Sequence, residues 1–162
     1  MAKTIFAFLN VAIVALYIIG SGLWVNAGNS FYRSLEQPFW QPPSFVIGLV
    51  WPYNFLVLII AGIFVANNAN GLFRVLYTVL FAFSVITALL WAHSFYIQNN
   101  LTLAAISLSV TALLTIPMVV IAFQTKASFG LILIPYQLWL FVAASLSIGY
   151  QVLNKGKIVP KS

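Results

Sequence analysis

Five long apolar stretches constrain this chain more than any other feature of its sequence. They cover approximately residues 5–24, 45–66, 72–97, 101–123 and 129–153. Each is close to the ~20 residues that an α-helix needs to cross the hydrocarbon core of a bilayer. Because lipid cannot satisfy free backbone N–H and C=O groups, such stretches fold as helices. The sequence therefore predicts an all-α membrane protein, a bundle of five transmembrane helices that forms one domain over residues 1–162.

The composition agrees with membrane insertion and excludes several classes of function. Only 5% of the 162 residues are charged, whereas soluble domains are about 25% charged. The net charge of +6 comes from scattered cations without a basic stripe, so we expect no nucleic-acid partner. The chain has no cysteine and only one histidine and one acidic residue. We therefore expect no metal site and no acid–base pair of the kind that ordinary enzymes use.

The charges near the ends of the stretches predict an orientation. An odd number of spans places the termini on opposite sides, so the segment 26–43 shares a side with the C-terminal tail. That side carries four cations, and the opposite side carries three. The four are Arg33, Lys155, Lys157 and Lys161, and the three are Lys3, Arg74 and Lys126. Cations favour the cytoplasmic side. We therefore expect a cytoplasmic C-terminus, in a bacterial inner membrane or an organelle membrane.

Aromatic residues recur at helical spacing within three of the stretches. The pairs are Trp51 and Phe55, Trp91 and Phe95, and Tyr136 and Trp139. Residues three or four apart share a face of a helix. Aromatic residues often serve in packing or in the belts at membrane interfaces, but these tryptophans lie several residues inside their stretches. The pattern fits either packing or a flat, apolar pocket for a planar aromatic or sterol-like ligand.

Two other features inside the stretches leave alternatives open. Pro52, Pro117 and Pro135 each remove a backbone N–H donor, so they either bend helices for packing or open a cavity between helices. His93 is either a neutral histidine with a hydrogen-bond partner or a residue that touches a ligand, for example as an axial ligand of haem.

The segment 35–43, Leu-Glu-Gln-Pro-Phe-Trp-Gln-Pro-Pro, carries a Pro-x-Trp-x-Pro-Pro run. This run resembles the signature of the translocator protein family, also called tryptophan-rich sensory proteins or TspO/MBR. Other patterns of the family are similar to Phe31-Tyr32, to Val50-Trp51-Pro52 and to the segments 88–96 and 135–143. The resemblance covers nearly the whole chain.

The resemblance implies a five-helix bundle, usually a dimer, in which the segment 26–43 covers a ligand pocket. The family's ligands are tetrapyrroles such as protoporphyrin IX and haem, and sterols, so porphyrin or haem is expected as a ligand and no cofactor is required. The implied roles are sensing, transport or porphyrin homeostasis, as in a stress response. The positions that match the family's ligand contacts are Tyr32, Trp51, Phe55, Ala88, Trp91, Phe95, Trp139 and Ala143.

Two rival functions accompany this resemblance. One is a porphyrin-degrading enzyme that uses light and oxygen, with Trp51 and Trp139 as its redox-active residues. The other is a lipid-organising scaffold without a specific ligand. Ala88, Ala92 and Phe55 stand where the family has Asn, Ser and Tyr. We therefore expect weaker binding of drug-type ligands, because fewer hydrogen-bonding groups orient them.

Two short patterns concern sterols and assembly. Leu146, Tyr150 and Lys155 fit a pattern proposed for sterol contact, although an interfacial tyrosine and a lysine beside the membrane produce the same spacing. Small residues four apart let helices approach closely in lipid. Ala88 and Ala92 form such a pair, which predicts a homodimer through the third span.

Overall fold

The computed structural model describes residues 1–155, which form six helices and no strand. The helices are α1 (Ala2–Ala27), α2 (Asn29–Ser34), α3 (Ser44–Asn68), α4 (Gly71–Tyr96), α5 (Leu101–Thr125) and α6 (Ala127–Leu153). All except the short α2 are long and apolar enough to cross a membrane. The prediction of an all-α membrane protein with five spans is confirmed. Lys157 and Lys161, which entered the predicted orientation, lie outside the described residues.

Asparagine side chains cap the starts of α4 and α5. At the turn between α3 and α4, Asn70 Oδ1 accepts a hydrogen bond from the backbone N–H of Phe73 at 2.8 Å. Arg74 reaches back to α3, with Nε 2.6 Å from the Ala66 carbonyl and Nη2 2.8 Å from the Ala69 carbonyl. A cation at this point also suits the negative end of the α3 dipole. These bonds satisfy backbone groups that a helix end otherwise leaves free.

The five spans form a closed ring around one core. α1 packs against α4, α4 against α5, α5 against α6, α6 against α3, and α3 against α1. Large side chains fill the centre of the ring, and the exposed fraction is at most 1% for Tyr17, Leu58, Phe81, Leu108 and Tyr136. The outer surfaces remain apolar, as surfaces in contact with lipid are.

Polar and small residues join neighbouring helices inside the ring. Asn10 Nδ2 donates to the Gly62 carbonyl at 3.0 Å, and a Cβ added to Gly62 would lie 2.9 Å from Asn10 Cβ. Thr87 Oγ1 and Thr111 Oγ1 are 2.8 Å apart and connect α4 to α5. Gln137 Nε2 connects α6 to α5 through a backbone carbonyl at 2.9 Å. Such bonds between membrane helices contribute about 0.6–2 kcal/mol each.

The structure corrects the predicted dimer interface. Ala88 and Ala92 are each 0% exposed within a single chain. They are covered because α4 lies between α1 and α5 in the ring and turns this face inward. The interface through these two residues is therefore wrong, and the homodimer itself remains a prediction.

Candidate ligand-binding pocket

A cavity of about 260 Å³ lies at the end of the bundle where α1, α4 and α6 end and α3 begins. Its aromatic lining consists of Tyr32, Trp51, Trp91, Phe95, Tyr96, Trp139 and Tyr150. Its polar lining consists of Asn26, Asn29, Gln41, Ser44 and Ser147. Val25, Ile47, Ala143 and Leu146 complete the surface. We call this space the aromatic cavity.

Two tryptophans of the aromatic cavity stack on each other. The ring centroids of Trp51 on α3 and Trp91 on α4 are 6.5 Å apart, and their planes are inclined by 21°. Phe55 stacks on Trp51 at 5.8 Å, and Phe95 tilts against Trp91 at 6.2 Å. All three separations fall in the range of about 4.5–7 Å in which aromatic rings attract each other. The spacing of four residues produces the two Trp–Phe contacts, because each phenylalanine lies one turn from its tryptophan on the same helix face.

Three polar atoms of the lining have no hydrogen-bond partner within residues 1–155. They are Trp91 Nε1, Trp139 Nε1 and Ser147 Oγ, and all three are buried. Buried polar groups in proteins are nearly always paired, and lipid supplies no substitute partner. These two N–H donors and one hydroxyl belong to lining residues, but the atoms themselves are covered, so a ligand would reach them only when the lining side chains move.

The covering loop, residues 35–43 between α2 and α3, closes the aromatic cavity from above. The Tyr150 hydroxyl donates to Gln41 Oε1, and Gln41 Nε2 donates to the Tyr32 hydroxyl at 3.1 Å. This chain of bonds runs from α6 through the loop to α2. All three side chains also line the cavity, so the bonds that hold the loop are part of the lining itself.

The covering loop lies directly on the backbone of α6. A Cβ added to Gly149 would lie 2.8 Å from both Pro38 Cγ and Trp40 Cζ2, so only glycine allows this approach. Trp40 Nε1 also donates to Ser145 Oγ at 3.3 Å. Pro38 and Trp40 belong to the Pro-x-Trp-x-Pro-Pro run, and the run therefore serves to seat the loop on α6.

Asn154, just after α6, fastens the covering loop a second time. Its Oδ1 accepts from the Glu36 backbone N–H at 3.0 Å, and its Nδ2 donates to the Glu36 carbonyl at 3.0 Å. Nδ2 also donates to the Tyr150 carbonyl at 2.9 Å. The residue is 0% exposed. The amide thus pairs with the loop backbone as a neighbouring strand would, while also capping the end of α6.

Most of the residues predicted to contact a ligand line the aromatic cavity. The lining includes Tyr32, Trp51, Trp91, Phe95, Trp139 and Ala143. Phe55 and Ala88 do not line it. Phe55 packs behind Trp51 and meets the Tyr17 ring at 5.3 Å, and Ala88 is 0% exposed one turn deeper than Trp91. The cavity occupies the loop end of the bundle, so these two positions support its wall from below.

His93 and the residues of the sterol pattern lie at positions that the sequence did not reveal. His93 meets Trp24 edge-on, with ring centroids 5.1 Å apart, and does not line the aromatic cavity. Leu146 and Tyr150 line the cavity and are 8% and 4% exposed, whereas Lys155 is exposed beyond the end of α6. The three residues of the sterol pattern therefore do not form one surface towards lipid.

Residues that sequence reasoning missed come mainly from the loop end. Gln41, Ser147 and Asn154 are polar residues of this kind, and Tyr96 is an aromatic one. Gln41 and Asn154 lie outside the helices and have no periodicity to reveal which way they point, and the only signal for Gln41 was its position in the proline-rich run. Ser147 lies four residues after Ala143 on α6, a spacing that places both on one face. Within residues 1–155, no group of three or more His, Cys, Asp or Glu side chains could hold a metal ion.

The helices and the cavity define a multi-pass integral membrane protein whose loop-covered end encloses an aromatic space. The model of the TspO/MBR family matches residues 7–153, and the chain belongs to this family.

Named relatives cover most of the chain. It is 31% identical over 147 residues to the tryptophan-rich protein TspO of Archaeoglobus fulgidus, which covers 88% of this chain and 92% of that protein. It is 28% identical over 118 residues to the tryptophan-rich protein TspO of Bacillus cereus, with coverage of 73% and 76%. It is 26% identical over 152 residues to the uncharacterized membrane protein YtaB of Bacillus subtilis, with coverage of 89% and 97%.

Proposed function

We propose that the aromatic cavity binds a planar tetrapyrrole, such as protoporphyrin IX or haem, and that the protein serves in sensing, transport or porphyrin homeostasis. The near-parallel pair of Trp51 and Trp91 carries this proposal. A macrocycle presents a wide π-face, and stacking on aromatic rings contributes about 0.5–1.5 kcal/mol beyond the burial of area. Membership of a family associated with tetrapyrrole and sterol ligands supports the same ligand class.

The polar groups of the cavity suit the edge of such a ligand. Trp91 Nε1 and Trp139 Nε1 are donors without a partner in the described chain, so they suit carbonyl or carboxylate oxygens. Arg33 lies at the rim, since its Nε donates to Asn29 Oδ1 at 3.2 Å and Asn29 lines the cavity. A guanidinium at this position suits the propionate groups of protoporphyrin IX.

The cavity is too small to enclose a whole tetrapyrrole while the covering loop is closed. Its volume is about 260 Å³, whereas pockets that enclose drug-sized ligands occupy about 300–1,000 Å³. A tetrapyrrole therefore fits only when the loop lifts from α6, or when part of the ring remains outside. The bonds from α6 to the loop are then the contacts that ligand binding must rearrange.

Titration of the purified protein with protoporphyrin IX in the dark tests the proposal. We expect saturable quenching of tryptophan fluorescence, because the ligand would lie against Trp51, Trp91 and Trp139. Linear, non-saturable quenching equal to that of free tryptophan would remove the proposed ligand class and favour the scaffold. Illumination of the saturated complex tests the rival enzyme, which predicts loss of porphyrin absorbance that depends on the protein and on oxygen.

A further inference from the structure

A second space lies on the outer surface of the bundle, between α3 and α6. This lateral groove has a volume of about 400 Å³. Leu49, Leu138 and Val142 are on its sides and are 68%, 58% and 37% exposed, so the groove opens towards lipid. Tyr53 donates from its hydroxyl to the Ile132 carbonyl at 3.0 Å and connects the two helices. A hydrogen bond between the two helices therefore bounds the groove, in addition to its apolar side chains.

Prolines lie in both helices at the level of the lateral groove. Pro135 lines it, and Pro52 immediately precedes Tyr53. Each proline lacks the N–H that would bond to the carbonyl four residues earlier, and its ring pushes that carbonyl away. Neither helix can therefore pack as a regular cylinder at this point. The sequence left two roles for the prolines, helix bending for packing or a cavity between helices. For Pro52 and Pro135, the cavity between helices fits.

Asn54 forms the floor of the lateral groove. It is 0% exposed, unlike its neighbours in the lining, and neither Nδ2 nor Oδ1 has a hydrogen-bond partner in the described chain. Asn54 lies ten residues after the start of α3 at Ser44, which corresponds to ~15 Å along the helix. This depth is near the middle of a hydrocarbon layer ~30 Å thick. An amide that is unpaired at this depth is costly, because the bilayer core holds no water to bond to it.

Trp139 separates the lateral groove from the aromatic cavity. Its indole lines both spaces. The two spaces otherwise share no lining residue. A ligand in the groove would therefore touch Trp139 and Asn54 but not Trp91.

We propose that the lateral groove binds a neutral, lipid-soluble carbonyl compound of the quinone type, taken up from the bilayer. The lining contains no charged residue, which excludes recognition of an anionic or cationic head group. A hydroxylated or phosphorylated lipid keeps its polar group at the membrane surface, whereas a weakly hydrated carbonyl can reach the depth of Asn54. The Asn54 amide is buried at the base of the groove, and it supplies an N–H donor for that carbonyl once its side chain turns into the groove. The Trp139 face supplies a surface for a flat ring.

Titration of the purified protein in detergent with decylubiquinone, read by tryptophan quenching, tests this site. We expect Asn54→Leu to weaken binding about tenfold, because the variant keeps the volume but removes the donor. Leu138→Trp should weaken it as strongly by filling the groove. Leu113→Trp is the matched control, since Leu113 is 62% exposed on α5, away from the groove. Decylbenzene, which lacks the carbonyls, should not displace the quinone.

Protoporphyrin IX binding is measured on the same variants to separate the two sites. Asn54→Leu should keep wild-type affinity for porphyrin, whereas Trp91→Ala should lose porphyrin affinity and keep that for the quinone. Unchanged quinone binding in Asn54→Leu and Leu138→Trp overturns the proposal, as does an equal loss in Leu113→Trp or Trp91→Ala. If Asn54→Leu does not fold, the comparison of quinone affinity between Leu138→Trp and Leu113→Trp tests the proposal.

Discussion

Trp51 and Trp139 face the aromatic cavity from α3 and α6. We expect Trp51→Ala and Trp139→Ala each to weaken protoporphyrin IX binding at least about tenfold, or ~1.4 kcal/mol. The expected loss combines stacking of about 0.5–1.5 kcal/mol with burial of apolar area at ~25 cal/mol per Å². Dissociation constants from porphyrin absorbance, which does not depend on the remaining tryptophans, measure the effect.

Trp24→Ala serves as the control for both variants. Trp24 packs against His93 outside the cavity, so its removal should leave porphyrin affinity within about twofold of wild type. Equal affinities across folded wild type, Trp51→Ala and Trp139→Ala would show that the aromatic faces serve packing alone.

Arg33 lies beside the cavity through its bond to Asn29, which is part of the lining. We expect Arg33→Gln to weaken protoporphyrin IX binding by about 0.2–1 kcal/mol, the typical range for an exposed ion pair. The dimethyl ester of protoporphyrin IX should bind wild type and variant equally, because it has no carboxylate to pair. Raising the salt concentration should reduce the difference between the proteins. An equal loss for acid and ester would assign Arg33 a structural role.

Residues differed in how far their sequence positions revealed their role. Trp51, Trp91 and Trp139 could be singled out because helical spacing and depth in a span are visible in one dimension. Asn54 and Asn154 could not, because an isolated amide has no periodicity and its partner depends on the packing of distant segments. Asn154 pairs with a backbone 118 residues away, and this contact exists only after α6 and the covering loop are in place.

At the level of elements, the covering loop packs on α6 and closes the aromatic cavity. Asn154→Ala should loosen this contact, because it removes two hydrogen bonds to the Glu36 backbone and one to the Tyr150 carbonyl. We expect bound protoporphyrin IX to dissociate several-fold faster, and the free energy of unfolding to fall by about 1–3 kcal/mol. Stopped-flow mixing of the complex with an excess of empty detergent micelles, which take up the released protoporphyrin IX, measures the rate.

Gln151→Ala is the matched control on the same helix. Its Nε2 lies 3.5 Å from Thr102 Oγ1 on an exposed surface and does not contact the loop. Release from this variant should keep the wild-type rate. An unchanged rate in folded Asn154→Ala would show that the loop does not limit release.

The loop itself illustrates what a sequence pattern leaves open. The segment 26–43 was expected as one connector, yet α1 continues to Ala27 and α2 forms over Asn29–Ser34. So short a helix has no room for a periodic signal, and its stability comes from packing rather than propensity. Pro42 and Pro43 lie directly before α3, at a position where proline is favoured because a helix begins there.

For the whole molecule, length and hydropathy were sufficient to predict the five spans but not their order in space. The ring places α4 beside α1 and α5, which buries the Ala88 face that suggested a dimer interface. Small residues promote close packing between any two helices in lipid. Their spacing therefore cannot distinguish contacts within a chain from contacts between chains.

The bundle has two ends, and the contacts of the covering loop assign segments to them. Glu36 bonds to Asn154, and Thr102 at the start of α5 bonds to Gln151, so the loops before α3 and α5 share an end with the end of α6. The turn between α3 and α4 lies at the opposite end. The cations of the loop end predict that it is cytoplasmic.

Single cysteines test this orientation without background, because the chain has no cysteine of its own. We expect Ser34→Cys and Gln98→Cys to react with an impermeant maleimide from the cytoplasmic side, since both are exposed at the loop end. Asn67→Cys, exposed at the end of α3, should react only from the opposite side. Labelling of positions 34 and 98 from different sides would contradict the arrangement of spans, whereas a uniform inversion of all three would contradict only the assignment of the cytoplasmic face.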